Sequence, residues 1–290
     1  MLSFRKPQQL AVAAIVLAVT VQAPALAAAR TADGAPHAAA TSAGVDRAMN
    51  KALDALPAND GRYTVAVRDL DGRHAAAYGE GAGAFDTASI VKVDILAALL
   101  LGAQDRGASL TAPQKKLAAE MIRKSDNDAT NALWKAIGRT DGLNAANKRL
   151  GLKATHTDKD GHWGLTRTTA ADQMVLLEAV LGDAHSPLTA PSRDYMRALM
   201  STVEANQRWG ISAADDGKRP GAAPVLKNGW LPRSETELWD VNSIGRVEHG
   251  GRTLLVAVLS DGQPSYKAGV ALVERAATTA VKAFVDAEKR

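Results

Sequence analysis

A serine and a lysine stand three residues apart at the head of a strongly apolar stretch, in the sequence Ser89-Ile90-Val91-Lys92. A serine hydroxyl is a poor nucleophile until a base removes its proton, and residues three apart on a helix share a face. Burial among apolar side chains disfavours a charged lysine and so makes a neutral amine available as a base. The pair therefore predicts nucleophilic catalysis, with Ser89 as nucleophile and Lys92 as its base.

Two further motifs follow, Ser125-Asp126-Asn127 and Lys227-Asn228-Gly229. The first adds a hydroxyl for proton transfer and an amide that can orient a lysine, and the second places another cation in a strand candidate. Motifs of the first and third kinds also arise by chance, as Ser3-Phe4-Arg5-Lys6 and Lys159-Asp160-Gly161 show. The prediction of a site therefore depends on the order and structural context of all three.

Each motif also has an ordinary structural interpretation. Ser89 could be a helix N-cap and Lys92 a surface lysine whose stem is buried. Ser125 or Asp126 could cap the following helix, and Lys227 could be an edge-strand charge that prevents aggregation. Three such residues falling together by chance in this order is improbable, which favours the active-site interpretation.

Together, the motifs resemble those of the serine-active penicillin-recognising superfamily, in which the class A β-lactamases are the most similar branch. The local sequences Thr87–Lys92 and Ser125–Asn131 share this resemblance, which covers nearly all of the chain after its N-terminal segment. It implies acyl transfer to Ser89, with Lys92 as base and Ser125 passing a proton to the leaving nitrogen. The substrate-binding residues that it implies are Asn127, Lys227, Asn228, Gly229 and Trp230, with the backbone N–H groups of Ser89 and Trp230 forming the oxyanion hole.

The chain departs from the class A pattern in its long loop, residues 154–169. Class A enzymes carry there a glutamate that activates the deacylating water, whereas this loop has no glutamate and its carboxylates are Asp158 and Asp160. Both aspartates are typical turn residues beside Gly161. The short interval between Ser89 and Ser125 also predicts a cleft with one wall missing. We therefore expect an acyl-enzyme that forms faster than it is hydrolysed.

Hydrophobic periodicity predicts two early strands, a helical middle, three late strands and a terminal helix. The expected fold class is α+β, with a five-stranded antiparallel sheet flanked by helices and a mostly helical subdomain, as in the penicillin-recognising fold. The predicted helices are 45–56, 89–101, 114–122, 129–137, 170–181, 192–203 and 270–285. The predicted strands lie within 63–78, on both sides of an Asp71-Gly72 turn, and at 224–231, 239–247 and 253–260.

Composition limits the cellular setting and the partners. Residues 1–29 have the basic start, apolar run and Ala-x-Ala endings of a secretory signal peptide, residues 30–43 suggest a flexible leader, and residues 44–290 form the hydrolase domain. The chain has no cysteine, so a disulfide and a lipidated cysteine are excluded. The formal net charge is +4, and the basic residues are interspersed with acidic ones, which disfavours nucleic acid as a partner. No ligand cluster of histidines predicts a metal, and no cofactor is expected.

The sequence thus predicts a secreted, monomeric serine acyl hydrolase without a membrane span in its mature form. Its expected substrates are β-lactams or D-Ala-D-Ala-like peptides. The alternatives are a slowly deacylating D-Ala-D-Ala carboxypeptidase or esterase, a β-lactam-binding sensor that acylates and stalls, and an envelope protein with vestigial motifs. The rate of deacylation distinguishes the acyl hydrolase, the slow carboxypeptidase or esterase, and the sensor from one another. The absence of acylation would identify the envelope protein.

Overall fold

The computed structural model describes residues 35–57, 61–71, 73–182 and 186–289, so the predicted signal peptide and Gly72 lie outside the described residues. The α-helices in these ranges are α1 Ala35–Asp54, α2 Lys92–Asp105, α3 Ala112–Ala119, α4 Asn127–Ala136, α5 Arg139–Leu150, α6 Ala170–Leu181, α7 Ala190–Met200 and α8 Tyr266–Glu288. The strands are β1 Arg62–Asp69, β2 Ala75–Tyr78, β3 Phe85–Asp86, β4 Arg167–Thr168, β5 Val225–Pro232, β6 Trp239–His249 and β7 Arg252–Asp261.

Five strands form one antiparallel sheet in the order β2-β1-β7-β6-β5. Strand β1 pairs with β7 from Arg62 opposite Asp261 to Asp69 opposite Leu254, which joins the two ends of the chain. β3 and β4 form a separate two-stranded ribbon. The predicted α+β fold class, with a five-stranded antiparallel sheet flanked by helices, is confirmed.

The two faces of the sheet carry separate cores. α1 and α8 pack on one face, where Val45, Met49 and Phe284 are almost fully buried. The other face supports the helical subdomain, in which α2 is the central helix. α2 is apolar nearly all round, as expected of a helix buried on every side, and this places its first residue, Lys92, in the protein interior.

Side-chain caps fix where the helices near the site begin. The Asp126 side chain accepts a hydrogen bond from the Ala129 N–H at 2.7 Å and caps α4, so Asp126 rather than Ser125 is the N-cap. Thr169 caps α6 in the same way through the Asp172 N–H at 3.2 Å. The Ser125 hydroxyl therefore does not cap α4 and can take part in the site.

Two segments differ from the sequence-based expectation. Helix α1 begins at Ala35, inside the predicted flexible leader, because this stretch is rich in alanine, the residue with the highest helix propensity. Helix α5 was not predicted. Its buried residues Leu143, Ala146 and Leu150 have helical spacing, but the polar residues between them and Gly142 just before them weaken the pattern.

Among the described residues, no helix has both the length and the apolar character needed to cross a bilayer.

Candidate active site

Ser89 lies in a tight 3-10 turn, Ala88–Val91, that leads directly into α2. Side chains three residues apart in a 3-10 turn eclipse one another, which aligns Ser89 with Lys92. Ile90 and Val91 are fully buried and anchor the turn, whereas Ser89 is partly exposed. Ala88 has a φ of 46°, a conformation that L-residues rarely adopt, so the surrounding packing must hold this turn in place.

The Lys92 amine is buried and has three oxygen partners. Nζ lies 2.6 Å from the Ser125 carbonyl oxygen, 3.1 Å from Ser125 Oγ and 2.9 Å from Asn127 Oδ1. Burial lowers the pKa of Lys92 to about 7, with a smaller opposing effect from the Asp126 carboxylate. Near neutral pH, a substantial share of Lys92 is therefore a neutral amine.

Ser125 connects two lysines. It ends a π-helical turn, Glu120–Lys124, and adopts a left-handed conformation with a φ of 60°, which turns its hydroxyl toward the interior. Lys227 Nζ lies 3.0 Å from the same Oγ that contacts Lys92, and it also donates to the Asn228 carbonyl oxygen at 2.7 Å. The Ser125 hydroxyl is thus placed to pass a proton between two amines.

Burial lowers the pKa of Lys227 well below its ordinary value, and a charged Lys92 lowers it further. Two ammonium groups that share one hydroxyl partner repel each other in surroundings of low polarity. The pair therefore carries fewer than two positive charges near neutral pH.

Alternation along β5 separates the third motif into two faces. Lys227 and Gly229 face the Ser89 turn, and Asn228 and Trp230 face the α8 layer. A Cβ added at Gly229 would lie 2.7 Å from the Ser89 backbone nitrogen and 2.8 Å from that of Ile90. Because real Cβ atoms do not approach backbone this closely, glycine is required for β5 to pack against the turn.

Asn228 does not occupy the position expected of a substrate-binding residue. It is 1% exposed, and its side-chain N–H groups donate to the carbonyl oxygens of Gln207 and Trp209 at 2.8 and 2.9 Å. The reason is the pleat of β5, which points this side chain away from Lys227. Its donors are used to anchor the segment before β5, which leaves none for a substrate carboxylate.

Trp230 likewise extends its ring away from the cleft, toward Trp209 and Tyr266, with ring centroids 6.0 and 5.7 Å away. The ring therefore does not narrow the cleft beside Ser89. The expected role of Trp230 concerns its backbone N–H, and that role stays a prediction.

The long loop is tied to the Ser89 turn by its backbone. The Thr87 N–H donates to the Thr166 carbonyl oxygen at 2.8 Å, and β4 pairs with β3. Asp158 contacts His162 Nδ1 at 2.9 Å and accepts the backbone N–H of Asp160 at 3.1 Å, contacts that hold the loop's own turn together. Asp158 thus has the turn role that its sequence context predicted, and the same role for the Asp160 side chain stays a prediction.

Sequence reasoning missed two residues that support the site. Trp163, in a 3-10 turn of the loop, has its ring centroid 5.0 Å from Lys92 Nζ. Asn242 on β6 donates to the carbonyl oxygens of Asp86 and Thr87 at 2.8 and 3.1 Å and so holds the chain just before the Ser89 turn. Neither residue belongs to a short motif, because each reaches the site through folding of distant segments.

Two groups of side chains within the described residues bring possible metal-ligating atoms together. They are Asp69 with His74 and Glu288, and Asp158 with Asp160 and His162. Arg252 donates to Asp69 at 2.7 Å and also contacts Glu288, so a cation already serves the first group. The second group is largely exposed, and such groups are common without an ion. The expectation that the protein has no metal site stays a prediction.

Several solved structures share this fold. A class A β-lactamase from Bacteroides cellulosilyticus has a TM-score of 0.66 and 17% identity, with 84% of this chain and 98% of that chain covered. The TLA-1 extended-spectrum β-lactamase has a TM-score of 0.69 and 15% identity, with coverage of 84% and 99%. A PBP-A variant, solved as an acyl-enzyme complex with penicillin G, has a TM-score of 0.67 and 19% identity, with coverage of 84% and 97%. At these identities, the similarity establishes the fold.

Among curated proteins, one relative is provisionally named lipoprotein LppW of Mycobacterium tuberculosis. It is 28% identical over 151 residues, which cover 50% of this chain and 46% of the relative. The aligned part thus spans about half the length of the curated relative.

The sequence profile described as the Beta-lactamase enzyme family matches residues 102–284, a segment that contains the second and third motifs and begins after Lys92. This match covers more than half of the chain. On this evidence, together with the shared fold, the chain belongs to the beta-lactamase enzyme family.

Proposed function

We propose that the protein is a serine acyl hydrolase that forms a covalent acyl-enzyme through Ser89 and releases the acyl group slowly. The observation that carries the proposal is the buried arrangement in which Ser125 Oγ lies 3.1 Å from Lys92 Nζ and 3.0 Å from Lys227 Nζ, beside the turn that presents Ser89. A lone capping serine or a surface lysine requires no such arrangement.

In the proposed acylation, Ser89 Oγ attacks the carbonyl carbon of the substrate while Lys92 takes its proton. The backbone N–H groups of Ser89 and Trp230 stabilise the oxyanion. The C–N bond then breaks, and the leaving nitrogen receives a proton from Lys92 by way of Ser125. Asn127 holds both Lys92 and the substrate amide.

β-Lactams and D-Ala-D-Ala-like peptides are the proposed substrate classes. Both present a carbonyl bonded to nitrogen and a nearby carboxylate, for which Lys227 supplies a positive field while it is protonated. The PBP-A structure, which shares this fold, shows penicillin G held as an acyl-enzyme.

The proposed slow step is hydrolysis of the acyl-enzyme. A deacylating water needs a base within hydrogen-bond reach, and such a base contributes roughly two to four orders of magnitude in rate. The loop has no glutamate, and Asp158 is engaged with His162 and the loop backbone. The indole of Trp163 covers the amine of Lys92 on the loop side.

Stopped-flow kinetics with a chromogenic cephalosporin test this proposal. We expect a burst of about one product per enzyme followed by a much slower steady rate. Steady turnover at hundreds per second without a burst would show that an effective deacylation base is present and that the protein is a fast β-lactamase. A slow steady rate without a burst would show that acylation itself is slow.

Export from the cell is proposed from the N-terminal sequence, with the mature chain beginning between Ala28 and Arg30. N-terminal sequencing of protein recovered from the culture medium tests this start, and retention of Met1 would contradict it.

A further inference from the structure

The indole ring of Trp163 lies directly over the amine of the proposed base. Its centroid is 5.0 Å from Lys92 Nζ, within the distance at which an ammonium is attracted to an aromatic face. The ring is partly buried against the core of the helical subdomain. Neither the three motifs nor the family match assigns this residue a role.

Two attachments hold the ring in this position. First, Trp163 Nε1 donates to Asn131 Oδ1 at 2.9 Å. Asn131 lies on α4, one turn after Asn127, and the side-chain oxygen of Asn127 accepts a hydrogen bond from Lys92. The turn that contains Trp163 also packs against the Ser89 turn. The ring, the amine and the serine turn are therefore fixed relative to one another.

The indole face lies near an amine that already has three oxygen partners. Lys92 Nζ has Ser125 O, Ser125 Oγ and Asn127 Oδ1 as partners, and the indole face adds a fourth, apolar neighbour. An aromatic face excludes water, which favours the neutral amine, yet its negative face attracts the ammonium ion. This attraction is stronger where solvent is excluded.

We propose that Trp163 is a positioning residue for Lys92, whose indole face stabilises the ammonium that forms when Lys92 takes the Ser89 proton. This inference rests on the proposed function for the role of Lys92 as base. The indole replaces water as the partner of the developing charge, and it does so without supplying a group that could itself hydrolyse the acyl-enzyme.

Other charged groups also face this amine. Asp126, at the start of α4, favours its charged form. Lys227 on β5 faces it across the Ser125 hydroxyl, and a charge on Lys92 lowers the pKa of Lys227. A test must therefore change the ring electronics of Trp163 while leaving the volume of the side chain and these charges in place.

Fluorinated tryptophans meet this requirement, because added fluorine weakens the negative face of the indole with little change in size. The chain has five tryptophans, of which Trp163 is the one found over Lys92 within the described residues. Three samples are prepared, with tryptophan, monofluorotryptophan or trifluorotryptophan, and each also carries isotope-labelled lysine. The lysine signals of each sample are followed by NMR as the pH is changed, without substrate. The Lys92 signal is identified by its loss in Lys92→Met.

We expect the pKa of Lys92 to fall stepwise with each addition of fluorine, by about one unit in total, which is about tenfold in the protonation constant. The matched control is Trp163→Leu, in which fluorination of the other four tryptophans leaves the Lys92 pKa unchanged. Trp163→Phe also lacks the indole and replaces the leucine variant if that protein does not fold. A pKa independent of fluorination in the wild-type background, or an equal fall in the control, would overturn the inference.

The pH profile of acylation separates this inference from the proposed function. When a penicillin labels the protein, the midpoint of the labelling rate must move with the Lys92 pKa across the fluorinated series, and a fixed midpoint overturns the inference. If no β-lactam or peptide ester labels the wild-type protein, the proposed function fails, whereas the substrate-free titration still decides whether Trp163 stabilises the charge on Lys92.

Discussion

Replacing Lys92 by methionine tests whether the buried amine is neutral in the folded protein. Burial lowers the pKa of Lys92 from 10.5 to about 7. Between these two values, the unfolded chain binds a proton at this residue that the folded protein has released, so this residue makes the free energy of unfolding rise with pH. One pKa unit is worth about 1.4 kcal/mol, and the wild-type protein should therefore gain roughly 2 kcal/mol from pH 7 to pH 9 relative to Lys92→Met.

The assay is urea unfolding of both proteins at pH 7, 8 and 9. Subtracting the free energies of unfolding removes the titration of shared groups that do not interact with Lys92; Lys227, whose pKa a charged Lys92 lowers, is the neighbour that this subtraction does not cancel. Lys282→Met serves as the control, because Lys282 is an exposed lysine paired with Asp286 and should show no such gain. A difference between wild type and Lys92→Met that stays constant from pH 7 to pH 9 would show that folded Lys92 keeps its proton and would refute the reasoning.

Three further predictions concern catalysis. The acylation rate should rise with pH to a plateau, with a midpoint near the Lys92 pKa of about 7, because the neutral amine is the active form; a rate that falls through this range would contradict it. Gly229→Ala should slow penicillin labelling about a hundredfold, because the added Cβ would displace the Ser89 backbone nitrogen, while circular dichroism should show that the fold is retained. Gly81→Ala, in which the added Cβ meets open space, is the control. Asp158→Asn should leave the adduct lifetime unchanged in a mass-spectrometric chase, and a longer lifetime would identify Asp158 as the missing base.

The sequence predicted the parts of the structure that depend on local pattern. Alternating strands on both sides of a helical middle specified the antiparallel sheet, and the apolar run after Ser89 specified a central buried helix that places Lys92 in the interior. The order of three short motifs predicted that Ser125 and Lys227 lie beside Lys92 in the fold, although more than a hundred positions separate Ser125 from Lys227.

Features that depend on packing between distant segments were not predictable in this way. The side chain of Asn228 binds the backbone at Gln207 and Trp209, a segment with no recognisable motif. Trp163 reaches Lys92 only after the loop has folded back on the Ser89 turn. Loop residues without periodicity carry little information about their final neighbours, so their place in the site emerges from the structure alone.

Intact-mass spectrometry after incubation with a penicillin tests the central claim most directly. The proposed reaction opens the ring without losing a fragment, so wild-type protein should gain the full mass of one penicillin in an adduct that persists for many times its formation time. The Ser89→Ala protein, with its fold verified by circular dichroism, should gain no mass. A wild-type protein that never acquires the adduct, or a Ser89→Ala protein that acquires it equally well, would contradict the assignment of Ser89 as the acylated nucleophile.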